Sequence, residues 1–205
     1  MAFAAACDFF DGFAARLLKA TSPIGKDLDS LADVVTFGVL PGFFMMDVLE
    51  INMPYSEGFA SYLPFLAFFI PVFSALRLAK FNNDPSQSYG FKGLPTPANG
   101  LVLASYSVWV QATDVSMHIP LLFSQTWFNT GLIMLQCVLL VSSIPLMAMK
   151  FSDFSVKTLM PRLLLVLFAA ILIWFLRFGA GLPVLILYIV FSLINHFSNE
   201  IQSRN

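Results

Sequence analysis

Four carboxylates open the chain in two pairs, Asp8 with Asp11 and Asp29 with Asp33, each inside or beside a run apolar enough for a membrane. Asp8 and Asp11 are three residues apart and Asp29 and Asp33 four apart, so each pair lies on one face of a helix. Asp27, two before Asp29, falls off that face. Gly12 and Ala15 continue the first face and Gly25 precedes the second, which lets two helices approach closely there. Two facing helices with two acids each would make a compact set of oxygen ligands. Mg²⁺ or Mn²⁺ takes such oxygens, and Mg²⁺ shares them with substrate phosphates. An acid at the bilayer centre costs about 2.5–3.5 kcal/mol, so four together call for a partner, and a metal ion is the natural one. The alternative is a solvated helix end with scattered acids.

The elements that must position these acids are membrane helices. Of 205 residues 58% are hydrophobic and 11% charged, which excludes an ordinary soluble domain. Mean hydropathy is +0.80. A net charge of −1 says little by itself, and no nucleic-acid partner is expected. Cys7 and Cys137 lie in apolar segments without metal or redox spacing and read as packing residues. His118 and His196 are isolated, which favours structural roles. The N-terminus carries no basic region or cleavage site of a signal peptide.

Apolar runs predict helices over residues 1–19, 26–44, 59–82, 97–113, 127–149, 160–178 and 181–198, with Asp47, Glu50 and Glu57 in a loop and a polar stretch at 83–96. Helix-length runs with Gly and Pro inside predict an all-α polytopic transmembrane bundle rather than a barrel. The chain reads as one integral membrane domain, 1–205, with the motif-bearing catalytic half at 1–100 and additional transmembrane helices at 101–205. Lys and Arg gather at Arg16, Lys19 and Lys26, at Arg77, Lys80 and Lys92, at Lys150, Lys157 and Arg162, and at Arg204, all after alternate spans. The other side carries Asp47, Glu50, Glu57 and Asp114, with Arg177 as its one base. The positive-inside rule makes the basic side cytoplasmic, so the turn between the acidic helices faces the cytoplasm.

The spacing D-x2-D-G-x2-A-R-x8-G-x3-D-x3-D, met by Asp8, Asp11, Gly12, Ala15, Arg16, Gly25, Asp29 and Asp33, resembles the active-site motif of the CDP-alcohol phosphatidyltransferases. Three further blocks, Ser30 to Val39, Leu76 to Asn82 and Gly93 to Ala98, resemble the phosphatidylserine synthase branch of that family. Phosphatidylglycerophosphate synthases usually follow the last Asp with Lys, where this chain has Val34. The resemblance is dense from Cys7 to about Gly100, and beyond that it rests on hydropathy.

The resemblance implies a fold with one complete transmembrane helix ahead of the motif helix. Seven residues precede Asp8, too few to span a bilayer, so that first helix is expected to be missing here. It implies transfer of a phosphatidyl group from CDP-diacylglycerol to the hydroxyl of L-serine, with release of CMP. It further implies two divalent ions, Mg²⁺ or Mn²⁺, on Asp8, Asp11, Asp29 and Asp33, with Asp33 also taking the serine hydroxyl proton. Gly12, Arg16 and Ser22, the last where the family often has Thr, would meet the CDP-alcohol, and a homodimer in the lipid bilayer is expected.

Arg77 and Lys80 stand on the same side as the acids, as candidates for the serine carboxylate or a phosphate, with Asn82 and Lys92 behind them. Their alternative reading is simple obedience to the positive-inside rule. The rival acceptors are glycerol phosphate, inositol phosphate and choline. A rival of another class is a cation transporter, which leaves Gly12, Arg16 and Gly25 unexplained.

Overall fold

The computed structural model describes residues 22–53, 58–83, 91–112, 125–146 and 156–204, with residues 1, 3–5, 7, 10, 17–18 and 122–123 besides. Ser22 starts the first long helix. Its Oγ accepts from the Gly25 backbone N–H at 3.0 Å, and Pro23 occupies the first turn, where its missing N–H costs nothing. Helix α1 (Pro23–Val34) runs through a π-helical turn (Val35–Val39) into α2 (Leu40–Ile51) without a break. Pro41 explains the turn. It cannot donate to the carbonyl of Phe37, and the ladder shifts so that Leu40 N–H reaches Val35 O instead.

The apolar stretch Ile24–Ile51 is 28 residues long, about 42 Å at the helical rise, against a hydrocarbon core of about 30 Å. Its ends therefore project from the membrane. Asp47 and Glu50, expected in a loop, lie exposed on the last turns of α2, which Asn52 closes by donating from Nδ2 to Val48 O at 2.8 Å.

The span expected at 59–82 comes in two parts, a 3₁₀ stretch (Gly58–Phe68) and then α3 (Phe69–Asn83). Pro64 and Pro71 remove two α-helical donors within eight residues, and the tighter winding precedes the second of them. Helix α4 (Thr96–Ala112) follows, then α5 (Thr126–Val141). The span expected at 127–149 stops at Val141, because Ser142, Ser143 and Pro145 turn the chain into an extended segment. That segment contributes the one strand pair among the described residues: β1 (Phe91–Lys92) lies antiparallel to β2 (Pro145–Leu146), with Phe91 opposite Leu146.

Helix α6 (Val156–Leu176) and helix α7 (Gly181–Arg204) are separated by a 3₁₀ turn, Arg177–Ala180. The turn opens on Arg177 with φ 49°, in the left-handed region. The Phe168 and Phe191 rings stand 6.3 Å apart. In a straight helix 23 residues would separate them by about 35 Å, so the apolar stretch Arg162–Asn195 is a hairpin of two spans. With Ile24–Ile51 and Gly58–Asn83 also long and apolar enough to cross, the architecture is a polytopic membrane helix bundle. The core sits between α2, α3, α4 and α5, where Met45, Val48, Leu49, Ile70, Leu103 and Ile133 are fully buried. Leu163, Leu167, Trp174 and Phe175 of α6 are exposed and face lipid.

Gly93 joins the strand pair to α4 with φ +76°, and a Cβ there would stand 2.7 Å from Ser142 O and 2.8 Å from Leu140 O. Both obstacles are backbone. Gly93→Ala is expected to destabilise the protein by about 2 kcal/mol or more, about 4–8 °C in Tm for a chain of this size. Thermal melting in detergent reads this directly, and an unchanged Tm would contradict the described turn.

Candidate active site

The continuous helix formed by α1, the π-helical turn and α2 runs antiparallel to α3 and touches it closely. A Cβ added at Gly38 would stand 3.1 Å from Pro71 Cα and from Ser74 Cβ, and one at Gly42 would stand 3.3 Å from Pro71 Cδ. Gly38 and Gly42 thus form a small-x3-small seam for α3. A polar clamp holds the same pair at the surface. Lys26 Nζ donates to Asn82 O at 3.4 Å, Asn82 Nδ2 to Ser30 Oγ at 2.9 Å, and Ser30 Oγ to Lys26 O at 3.1 Å. On the far side of the π-helical turn, a Cβ at Gly100 of α4 would stand 2.9 Å from both Cα and O of Phe37. The three blocks singled out in the sequence, on α1, at the end of α3 and at the start of α4, are therefore neighbours.

Between them lies a buried polar group. Arg77 is 7% exposed, and its Nη1 donates to Thr96 Oγ1 at 3.4 Å while its Cζ lies 5.0 Å from the centroid of the Phe81 ring. The guanidinium interacts electrostatically with Asp33 and with Tyr188 of α7. Among the described residues, Arg77 Nε, Ser74 Oγ and both amide atoms of Asn99 are buried without a hydrogen-bond partner. Unsatisfied donors and acceptors in a membrane interior are costly, and their gathering at one level of the bundle marks a place for a polar guest. Arg77 does not snorkel to the surface. Lys80 does something different: it is exposed, and its Nζ donates to Val141 O at 3.0 Å, a cation at the C-terminus of α5.

Asp29 is exposed and Asp33 half-buried, one turn apart on α1, while Asp27 points elsewhere on the exposed surface. Two carboxylates of one helix face, at the polar rim, suit a hard divalent ion as half of a donor set. Asp8, Asp11, Gly12 and Arg16 lie outside the described residues, as does Lys19. Among the described residues no three metal-capable side chains come together. Ser22 sits at the start of α1 with its Oγ engaged as a cap acceptor, which leaves its O–H to donate. Gly25, read from sequence as a point of close helix approach, is exposed. Among the described residues a Cβ there would meet Ser22 Oγ at 3.0 Å, so its visible role is in the cap.

An apolar cleft of about 730 Å³ opens elsewhere, between α4, α5 and α7, lined by Trp109, Phe123, Trp127, Leu182 and Gln136 among others. Its described lining carries no acid or base, so it holds space without chemistry.

A sequence model of the family described as CDP-alcohol phosphatidyltransferase matches residues 1–141. The chain belongs to this family. A protein of Bacillus subtilis named CDP-diacylglycerol–serine O-phosphatidyltransferase is 43% identical over 100 residues, covering 49% of this chain and 53% of its own. Proteins of the same name from Methanocaldococcus jannaschii, 35% identical over 48% of this chain and 44% of theirs, and from Mycobacterium leprae, 33% identical over 73% and 48%, are also similar. The chain spans about half the length of these curated relatives. No solved structure matches.

CDP-alcohol phosphatidyltransferases generally use divalent metal ions, which agrees with the chemistry of the Asp29 and Asp33 donors. Ser74, Asn99 and Tyr188 were not among the residues the sequence singled out. Ser74, three residues before Arg77, and Asn99, three after Thr96, are polar positions on helices that are otherwise mostly apolar, a signal open to reading. Tyr188 gave none, since a tyrosine in an apolar helix reads as packing.

Proposed function

We propose that the chain transfers the phosphatidyl group of CDP-diacylglycerol to the hydroxyl of L-serine, releasing CMP. The observation that carries this reading is Arg77: a guanidinium buried in the bundle, held by Thr96 and Phe81, and electrostatically coupled to Asp33. A fixed planar cation beside a candidate base suits an acceptor that bears both a carboxylate and a hydroxyl. The names of the curated relatives support the same acceptor.

In this reading Arg77 receives the serine carboxylate, and Lys80 steadies the α3–α5 contact beside it. Asp33 accepts the serine hydroxyl proton as the oxygen bonds to the phosphatidyl phosphorus. The bond from that phosphorus to the bridging oxygen breaks, and CMP departs with the electron pair. Arg16, Gly12 and Ser22 bind the diphosphate and nucleotide, which fixes the phosphorus in line with the hydroxyl. Mg²⁺ or Mn²⁺, as two ions on Asp8, Asp11, Asp29 and Asp33, would supply neutralisation of the phosphoryl charge. The Lys and Arg asymmetry supports a site on the cytoplasmic face, and a homodimer completes the proposal.

Purified protein in detergent with CDP-diacylglycerol and Mn²⁺ or Mg²⁺ is expected to release CMP only when L-serine is added, and to stop when EDTA removes the metal. Release with glycerol phosphate, inositol phosphate or choline in place of serine would move the acceptor. Flux of the cation without nucleotide would replace the enzyme reading with transport.

A further inference from the structure

The polar group around Arg77 has a wall from outside the segment that defines the family. Residues 1–141 match the family model, whereas α7 begins at Gly181. Helix α7 nevertheless packs on the start of α4, and its register is set by two close approaches. A Cβ at Gly179 would stand 3.0 Å from the Trp109 indole nitrogen, and one at Gly181 would collide with Ser105 Oγ. Running antiparallel from there, α7 brings Tyr188 to the level of Ala98 and Ser192 to that of Leu94. The apolar contacts agree, because Tyr188 and Ala98 pack on one cluster with Leu94, Leu146 and Leu185. Tyr188 is half-buried, Ser192 is 2% exposed, and their side chains are hydrogen-bonded. Tyr188 and the Arg77 guanidinium interact electrostatically, and Arg77 Nη1 donates to Thr96 Oγ1.

We infer that Tyr188, backed by Ser192, is a specificity-determining positioning residue that holds the Arg77 guanidinium for an acceptor carboxylate. The inference rests on the serine reading above. Three observations meet in it. Among the described residues the buried Arg77 Nε has no partner, and the contacts that orient the guanidinium are those at Nη1 and at the ring face. Thr96 and Phe81 hold it from two sides, and Tyr188 supplies a third dipole from α7. The alternative function of Tyr188 is apolar packing on Ala98, and the ring alone would provide that.

Tyr188→Phe separates the two, since it keeps the ring and removes the hydroxyl. In the full chain in detergent, we expect the serine KM to rise about tenfold while kcat and the KM for CDP-diacylglycerol stay within twofold. The preference for serine over ethanolamine, which lacks the carboxylate, should shrink in proportion. Ser192→Ala should shift the serine KM in the same direction by less. A serine KM unchanged in Tyr188→Phe, or a fall in kcat equal for all acceptors, overturns the inference and leaves the serine reading intact. A wild-type chain that uses only another acceptor overturns the serine reading. The Tyr188 assignment then stands or falls on whether Tyr188→Phe raises the KM for that acceptor. A wild-type chain silent with every alcohol overturns both.

Discussion

Asp33→Asn is expected to lower serine-dependent CMP release by about a thousandfold, the middle of the range for loss of a positioned general base. The substitution preserves size and shape, and removes the charge and the basic oxygen together. Asp33 is half-buried one turn along from Asp29 and coupled to Arg77, so the loss falls on proton transfer and on the electrostatics of the acceptor site at once. Stability is expected to hold, because Arg77 retains Thr96 and Phe81. The matched control is Asp27→Asn, on the same helix but off that face, which should stay within twofold of wild type. Activity of Asp33→Asn within tenfold of wild type would remove Asp33 from the role of base. Equal losses in both variants would point to a general effect of negative charge near the membrane surface.

Arg77→Met is expected to raise the serine KM by roughly thirtyfold, the equivalent of about 2 kcal/mol for a lost charge-assisted hydrogen bond, without lowering stability. The two halves of this expectation pull in different directions, and that is its use. A buried guanidinium whose Nε has no partner among the described residues is a poor structural element, and replacing a buried charge with an apolar side chain of similar length is often neutral or stabilising. If Arg77 were there for the fold, Arg77→Met would melt lower and leave the serine KM alone. Arg77→Lys provides a further check: it restores charge without the planar fork, so the KM should recover in part. Kinetics with both substrates varied, beside melting curves in detergent, read all of these quantities.

The acid pair on α1 and the helix-rich architecture were legible because they depend on local spacing and on hydropathy, which a single chain displays directly. Arg77 was legible as a candidate, but its burial was not. The positive-inside pattern treats Arg77 and Lys80 alike, and only packing against Phe81 and Thr96 distinguishes the buried residue from the exposed one. The helix ends at Ile51 and Val141 were misjudged for opposite reasons. Hydropathy ends a span at the first acid, although α2 carries Asp47 and Glu50 into the aqueous layer. It also runs a span through Ser142 and Ser143, which the backbone does not. The contribution of α7 was invisible, because it depends on a register between residues 70 and more positions apart.

Two of the prolines within the spans, Pro41 and Pro71, deprive Phe37 O and Ala67 O of their usual α-helical donors, and in both cases a glycine of a neighbouring helix faces the freed oxygen. Gly100 faces the first and Gly42 the second, with 2.9 and 3.4 Å between the oxygen and the place a Cβ would take. Mechanically these are detents. Sliding the continuous α1–α2 helix by one residue, about 1.5 Å, would carry side-chain-bearing positions onto the carbonyls and stall, so that helix is locked along its axis.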